Sequence, residues 1–177
     1  YVTDKAAVPD CYGIKTADDM AKFALAVNTG APLKRFMNEE GTVVLLSDVD
    51  MSGVESYLPV GTAEAPFEGI FHGKGFAVKN IRFTTDVTSQ LNAAIFGALK
   101  GTVKNLTVGA EGDVWTITGT CSAGTSIAGV AATAVEGAVI ENCTNNVSFD
   151  FKAADPKDIL VSIAGIAADV KGLAVTK

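Results

Sequence analysis

The sequence predicts an all-β fold, a right-handed parallel β-helix (solenoid) with a short amphipathic helix capping its N-terminal end. The first sign is a repeated phrase aligned on an asparagine: GFAVKNIRF at 75–83, GTVKNLTV at 101–108 and GAVIENCTN at 137–145. In each, a glycine stands four or five positions before Asn80, Asn105 or Asn142. Apolar residues stand two before and one after it: Val78 and Ile81, Val103 and Leu106, Ile140 and Cys143. A strand of period two would put those anchors on opposite faces, so the pattern predicts a bend at each asparagine, the corner of a coil. The second sign is a small-residue phrase, AIFGAL at 94–99, SIAGVA at 126–131 and SIAGIA at 162–167, with Gly97, Gly129 and Gly165 taken as equivalent. The asparagines lie 25 and 37 residues apart, about one coil with variable loops. Coils stacked at about 4.8 Å bring successive corner amides within bonding distance. Handedness follows from the chirality of parallel crossovers.

Composition supports this. A chain of 177 residues buries roughly 70% of the surface its unfolded form exposes, enough for one self-sufficient domain. It is 48% hydrophobic but only 7% aromatic, with 18 glycines, so Ala, Val, Ile and Leu build the core and disorder is excluded. Fourteen basic against twenty acidic residues give a net charge of −6, which argues against a nucleic-acid partner, since such affinity rests on Lys and Arg neutralising phosphates. No apolar run is long enough to cross a bilayer, and a membrane tether would lie outside the chain. Cys11, Cys121 and Cys143 show no CxxC spacing and read as buried or free thiols, with pairing of two of them in an oxidising compartment as the alternative.

Residues 1–65 form the N-terminal cap, continuous with coils over 66–177. Within the cap, TADDMAKFALAVN predicts a helix over 16–28: Thr16 caps, Asp19 completes a capping box, and Met20, Phe23, Ala24 and Val27 share one face. Asn28, Gly30 and Pro32 stop it. TVVLLSDVD predicts a strand over 42–50. Lys104 and Glu141 are placed for an exposed contact between adjacent coils, and Asp150, Lys152, Asp155 and Lys157 read as a solvated loop. GLAVTK sets Lys177 where a further corner asparagine would fall. Bare strand edges are unfavourable, so further coils, a C-terminal domain or a partner are expected to cover that end.

The stretches YLPVGTAEAPFEGIFHGKGFAVKNIRF, AIFGALKGTVKNLTV and IAGVAATAVEGAVIENC, with their PFxGxFxGxG and GxVxNL phrases, resemble the GLUG-motif β-helix proteins of bacterial surfaces, many from gut Bacteroidetes. The resemblance runs from about Gly13 to the C-terminus. It departs from the usual pattern at His72, where Asp often stands, and at Tyr57 and Leu58. It implies exported, often lipid-anchored proteins with adhesin-like or structural roles, and supplies no catalytic motif.

The remaining chemical candidates are weak. DVDMSGVE begins like a calcium loop, but its twelfth position is Pro59 instead of a bidentate Glu, so a strand-end turn is the better reading. GIFHGKG is one residue short of a phosphate loop, and Gly75 replaces the Ser or Thr that magnesium needs. His72, the only histidine, reads as a turn residue. Glycan cleavage needs paired carboxyls, or a base beside a cation, and no such pair recurs near Arg35 or Arg82. Asn105, Asn142 and Asn146 start formal glycosylation sequons, but the first two are already assigned to coil corners. Trp115, the only tryptophan, is the one residue singled out for ligand contact, as an amphipathic ring able to stack on a sugar. No catalytic, cofactor or metal site is expected. The expected function is a non-catalytic cell-surface adhesion or binding module meeting a glycan or protein. A structural spacer is the alternative and a polysaccharide-acting enzyme a distant third.

Overall fold

The computed structural model describes residues 12–85, 91–119, 124–153, 160–172 and 175–176. One helix opens the described chain. In α1 (Ala17–Thr29) the Thr16 hydroxyl accepts from Asp19 N–H, the Asp19 carboxylate accepts from Thr16 N–H, and Gly30 closes the helix at φ 70°. Both ends are thus satisfied by side chain or left-handed backbone, as helix termini require. Met20, Phe23, Ala24 and Val27 are its buried face, and Phe23 packs against Phe36, Phe67 and Phe71 at centroid distances of 5.5, 5.6 and 5.9 Å.

The rest is mostly β, in short strands. After β1 (Val43–Val44) and β2 (Val49–Asp50) come β3 (Ile70–His72), β4 (Ala77–Lys79), β5 (Phe83–Thr85), β6 (Leu91–Ala93) and β7 (Phe96–Leu99). Next are β8 (Thr102–Lys104), β9 (Thr107–Val108), β10 (Val114–Gly119), β11 (Thr125–Ala128) and β12 (Ala131–Ala134). Then follow β13 (Val139–Glu141), β14 (Thr144–Asn145), β15 (Ser148–Ala153), β16 (Val161–Ala164), β17 (Ala167–Val170) and β18 (Val175–Thr176). They form five sheets, ordered β1-β3-β8-β13-β18, β2-β4-β9-β14, β5-β10-β15, β6-β11-β16 and β7-β12-β17. Pairings between these strands are parallel, and the chain visits the sheets in one cyclic order.

In-register partners carry the inward residues. Phe71 pairs with Val103 and Val103 with Ile140, and all are at most 3% exposed. Val49, Val78 and Val108 form another fully buried column. A second small cluster joins Ala94, Ala128 and Ala132, whose short side chains let neighbouring backbones approach closely. The 54–67 stretch lies against one edge: Val60 bridges Phe96, Phe67 bridges Leu99, and the buried Tyr57 hydroxyl donates to Ile95 C=O at 3.1 Å.

Several sequence expectations change. The strand expected over 42–50 is two strands in two sheets, because the chain turns between them. There the Ser47 hydroxyl donates to Lys15 C=O, and Asp48 Oδ1 accepts from Ala77 N–H at 2.9 Å. The repeat alignment also shifts. Asn105 follows β8 and Asn142 follows β13, neighbours in one sheet, whereas Asn80 follows β4 in another. His72 pairs with Lys104, so Gly73 is the true counterpart of Asn105, and a Cβ there would stand 2.5 Å from Asn105 C=O. The 25-residue spacing is therefore not a register step between paired strands, while the 37-residue spacing is, since Val103 pairs with Ile140.

Gly129 and Gly165 are equivalent, but Gly97 is not. Ala131 pairs with both Phe96 and Ala167, which sets Gly97 opposite Ala132. Asp150 and Lys152, expected in a loop, lie in β15, joined by a 3.2 Å ion pair; Asp155 and Lys157 fall outside the described residues. Lys104 and Glu141 are in register, whereas Lys79 meets Asp48 at 3.5 Å.

Candidate functional site

The turn after β2, residues 80–83 at the β4–β5 junction and the start of β10 border a groove of about 460 Å³, lined by Ser52, Glu55, Asn80, Ile81, Arg82, Phe83, Val114 and Thr116. Alternation along β10 explains its wall: Val114 and Thr116 point outward, while Trp115 and Ile117 point into the core. The same alternation exposes Arg82 between the buried Ile81 and Phe83. Asn80 adopts φ 58°, a left-handed conformation that asparagine tolerates better than most residues.

A hydrogen-bonded frame fixes the floor. Asn80 Nδ2 donates to Asp50 Oδ1 at 2.8 Å, and Ser52 N–H donates to the same oxygen at 3.0 Å. From the other side, Asp113 Oδ2 accepts from Asn80 N–H at 3.3 Å and from Ala110 N–H at 2.9 Å. The Asn80 amide, then the Ser52 backbone, hold the Asp50 carboxyl below its ordinary range. These carboxylates are thus occupied in holding turns. Among the described residues no group of three or more His, Cys, Asp or Glu side chains is placed to hold a metal ion. Arg82 makes no ion pair among the described residues, so a guanidinium, the Glu55 carboxylate and two hydroxyls line the groove beside exposed Val114. That mixture suits hydrogen bonding to a polyhydroxylated or peptide-like ligand.

Trp115 is not part of this wall. It is 0% exposed, packed between Phe83 at 5.3 Å and Phe149 at 5.8 Å, and its Nε1 is buried without a partner among the described residues. The expectation that it contacts a ligand is therefore corrected: period-two alternation turns it inward, onto aromatic rings of the preceding and following strands in its sheet.

Asn105 and Asn142, which follow β8 and β13, form a separate row. Asn142 Nδ2 donates to Asn105 Oδ1 at 2.5 Å, and His72 Nε2 lies 3.2 Å from the Asn105 amide. Asn105 and Asn142 have φ of 52° and 50°. His72 Nδ1 accepts from Lys74 N–H at 2.9 Å. Desolvation, then Lys104 and Lys74, lower the His72 pKa. Cys143 beside this row is a half-buried free thiol whose pKa is raised by burial, and Cys11 and Cys121 lie outside the described residues.

Sequence reasoning did not single out the groove. Its only signal was Arg82, one of two arginines in the chain, but the turns that meet it are some thirty residues apart. Among the described residues no helix is long and apolar enough to cross a membrane. No protein-family model, no curated protein and no solved structure matches this chain.

Proposed function

We propose that the chain winds as a right-handed parallel β-helix of the GLUG-motif kind and serves as a non-catalytic adhesion or binding module on a bacterial cell surface. The fixed cyclic order of parallel sheets and the lengths of the in-register steps support the winding. The partner is a surface glycan or protein, taken in the groove around Arg82. The observation that carries this reading is an exposed guanidinium without an ion-pair partner among the described residues, set among hydroxyl, amide and apolar groups on a rigid hydrogen-bonded frame. A non-catalytic role accords with the engagement of Asp50 and Asp113 in turn hydrogen bonds.

The test is a glycan and matrix-protein array with the intact chain, followed by calorimetry on any hit. Arg82→Ala is expected to weaken binding at least about tenfold, roughly 1.4 kcal/mol, without changing the circular dichroism spectrum. Absence of any hit, or a hit that Arg82→Ala leaves unchanged, overturns the assignment of the groove.

A further inference from the structure

The chemistry of the groove around Arg82 narrows the ligand it suits. Ile81 and Phe83 are each 2% exposed, and Tyr57 N–H donates to Arg82 C=O at 2.8 Å, so the Arg82 backbone is fixed while its side chain stands in solvent. Ile117 pairs with Phe83, which sets Thr116 beside Arg82, about 4.8 Å away across the sheet. Arg82 and Glu55 both line the groove, and neither makes an ion pair among the described residues, with the other or with a third group. One unpaired cation and one unpaired anion therefore share the space with the hydroxyls of Ser52 and Thr116. Apolar cover is thin. Val114 is 56% exposed, but Phe83 and Trp115 are turned into the core, so no aromatic face is left among the lining residues.

We infer that the groove takes a carboxylate-bearing sugar, a uronate or sialic-acid unit, within a glycan of low charge density; this rests on the reading of the groove as the binding site. A guanidinium offers a planar fork that matches a carboxylate through two parallel hydrogen bonds, and such charge-assisted bonds are about twice as strong as neutral ones. A neutral sugar would depend on stacking against a ring, and the lining exposes none. A protein partner would depend on aromatic or aliphatic anchors buried in pockets, which Val114 alone does not supply. Glu55 limits the charge from above. With its carboxylate in the same groove, and −6 on the whole chain, a dense polyanion such as a sulfated glycan meets like charge. The hydroxyls of a monoanionic sugar instead donate to that carboxylate, which accepts only.

The experiment is calorimetry with the full 177-residue chain against five probes: a hyaluronan oligosaccharide, which carries a carboxylate on every second sugar, its methyl ester, sialyllactose, a chitin oligosaccharide and heparin. Binding of the hyaluronan oligosaccharide or of sialyllactose is expected, and which of them binds tells uronate from sialic acid. The methyl ester and the chitin oligosaccharide are expected to bind at least about tenfold more weakly, and heparin no more tightly. Arg82→Lys keeps the charge but loses the fork, and is expected to weaken the carboxylated sugar at least about tenfold, while Glu55→Gln strengthens heparin. Both side chains are exposed, so the variants keep the fold, verified by an unchanged circular dichroism spectrum, and the ester needs no substitution at all. An ester bound as tightly as the acid, or a carboxylated sugar indifferent to Arg82→Lys, overturns the inference. So does failure of both carboxylated sugars to bind. A neutral glycan or a protein held through Arg82 also overturns it but leaves the groove as the binding site, which the array with Arg82→Ala decides separately.

Discussion

Replacing Trp115 separates packing from recognition. The indole is 0% exposed between Phe83 and Phe149. A tryptophan buries about 150–250 Å², which at ~25 cal/mol per Å² is worth about 4–6 kcal/mol. Trp→Ala truncations in cores cost ~3–5 kcal/mol, so Trp115→Ala is expected to remove a large share of the stability of a domain this size. Trp115→Phe differs, because it also deletes an Nε1–H that is buried without a partner among the described residues. Relieving that group returns about 1–3 kcal/mol against the lost volume, so the Phe variant is expected within ~1.5 kcal/mol of the parent. Urea unfolding followed by far-ultraviolet circular dichroism measures both, with the slope unchanged if the two-state transition is preserved. As the only tryptophan, the residue also reports directly: its fluorescence is expected to be blue-shifted and poorly quenched by acrylamide. A Trp115→Ala cost below ~1 kcal/mol, or ready quenching in the folded chain, would refute the placement of the indole in the core.

Other residues give independent tests. Asn105→Ala is expected to cost ~2–3 kcal/mol by chemical denaturation, since it combines left-handed strain with loss of the Asn142 hydrogen bond, whereas Asn105→Gly keeps the backbone free and costs less. Equal losses would show that φ is not the issue. Gly101→Ala puts a methyl group 2.1 Å from Gly69 C=O, so at least ~3 kcal/mol of destabilisation, or insoluble expression, is expected; a thermal midpoint like the parent's would contradict the close approach. His72 has a lowered pKa in the fold, so the unfolded chain binds its proton more readily. Its contribution is therefore full above ~6.5 and lost as pH falls through the lower folded value. Denaturation midpoints across that window should fall on acidification in the parent and fall less in His72→Asn.

What could be read in the sequence was local. The helix needed only Thr16, Asp19 and Gly30, all within one segment, and the structure places it at Ala17–Thr29, one residue from the expected span. The glycine–strand–asparagine unit is likewise local: Gly75 and Gly137 both have positive φ, and Asn80 and Asn142 both turn left-handed. Yet these two units serve different sheets, because the same bend can end a strand in either sheet. Register decides which sheet, and it depends on partners such as Phe71 and Val103, 32 residues apart. Trp115 was misread for the same reason: the rings that enclose it come from positions 83 and 149. The groove around Arg82 was hidden because it exists only once separate turns are stacked.

The one-way order of strand pairing bears on how the molecule is made. Each layer finds its partners in the segment synthesised just before it, and α1 with Val43 and Val49 supplies the foundation for the first. A nascent chain can therefore assemble progressively from its amino end, each finished layer acting as template for the next. Deleting whole layers from the carboxyl end should leave a shorter but orderly remnant, whereas removing α1 takes away the surface on which everything later is laid.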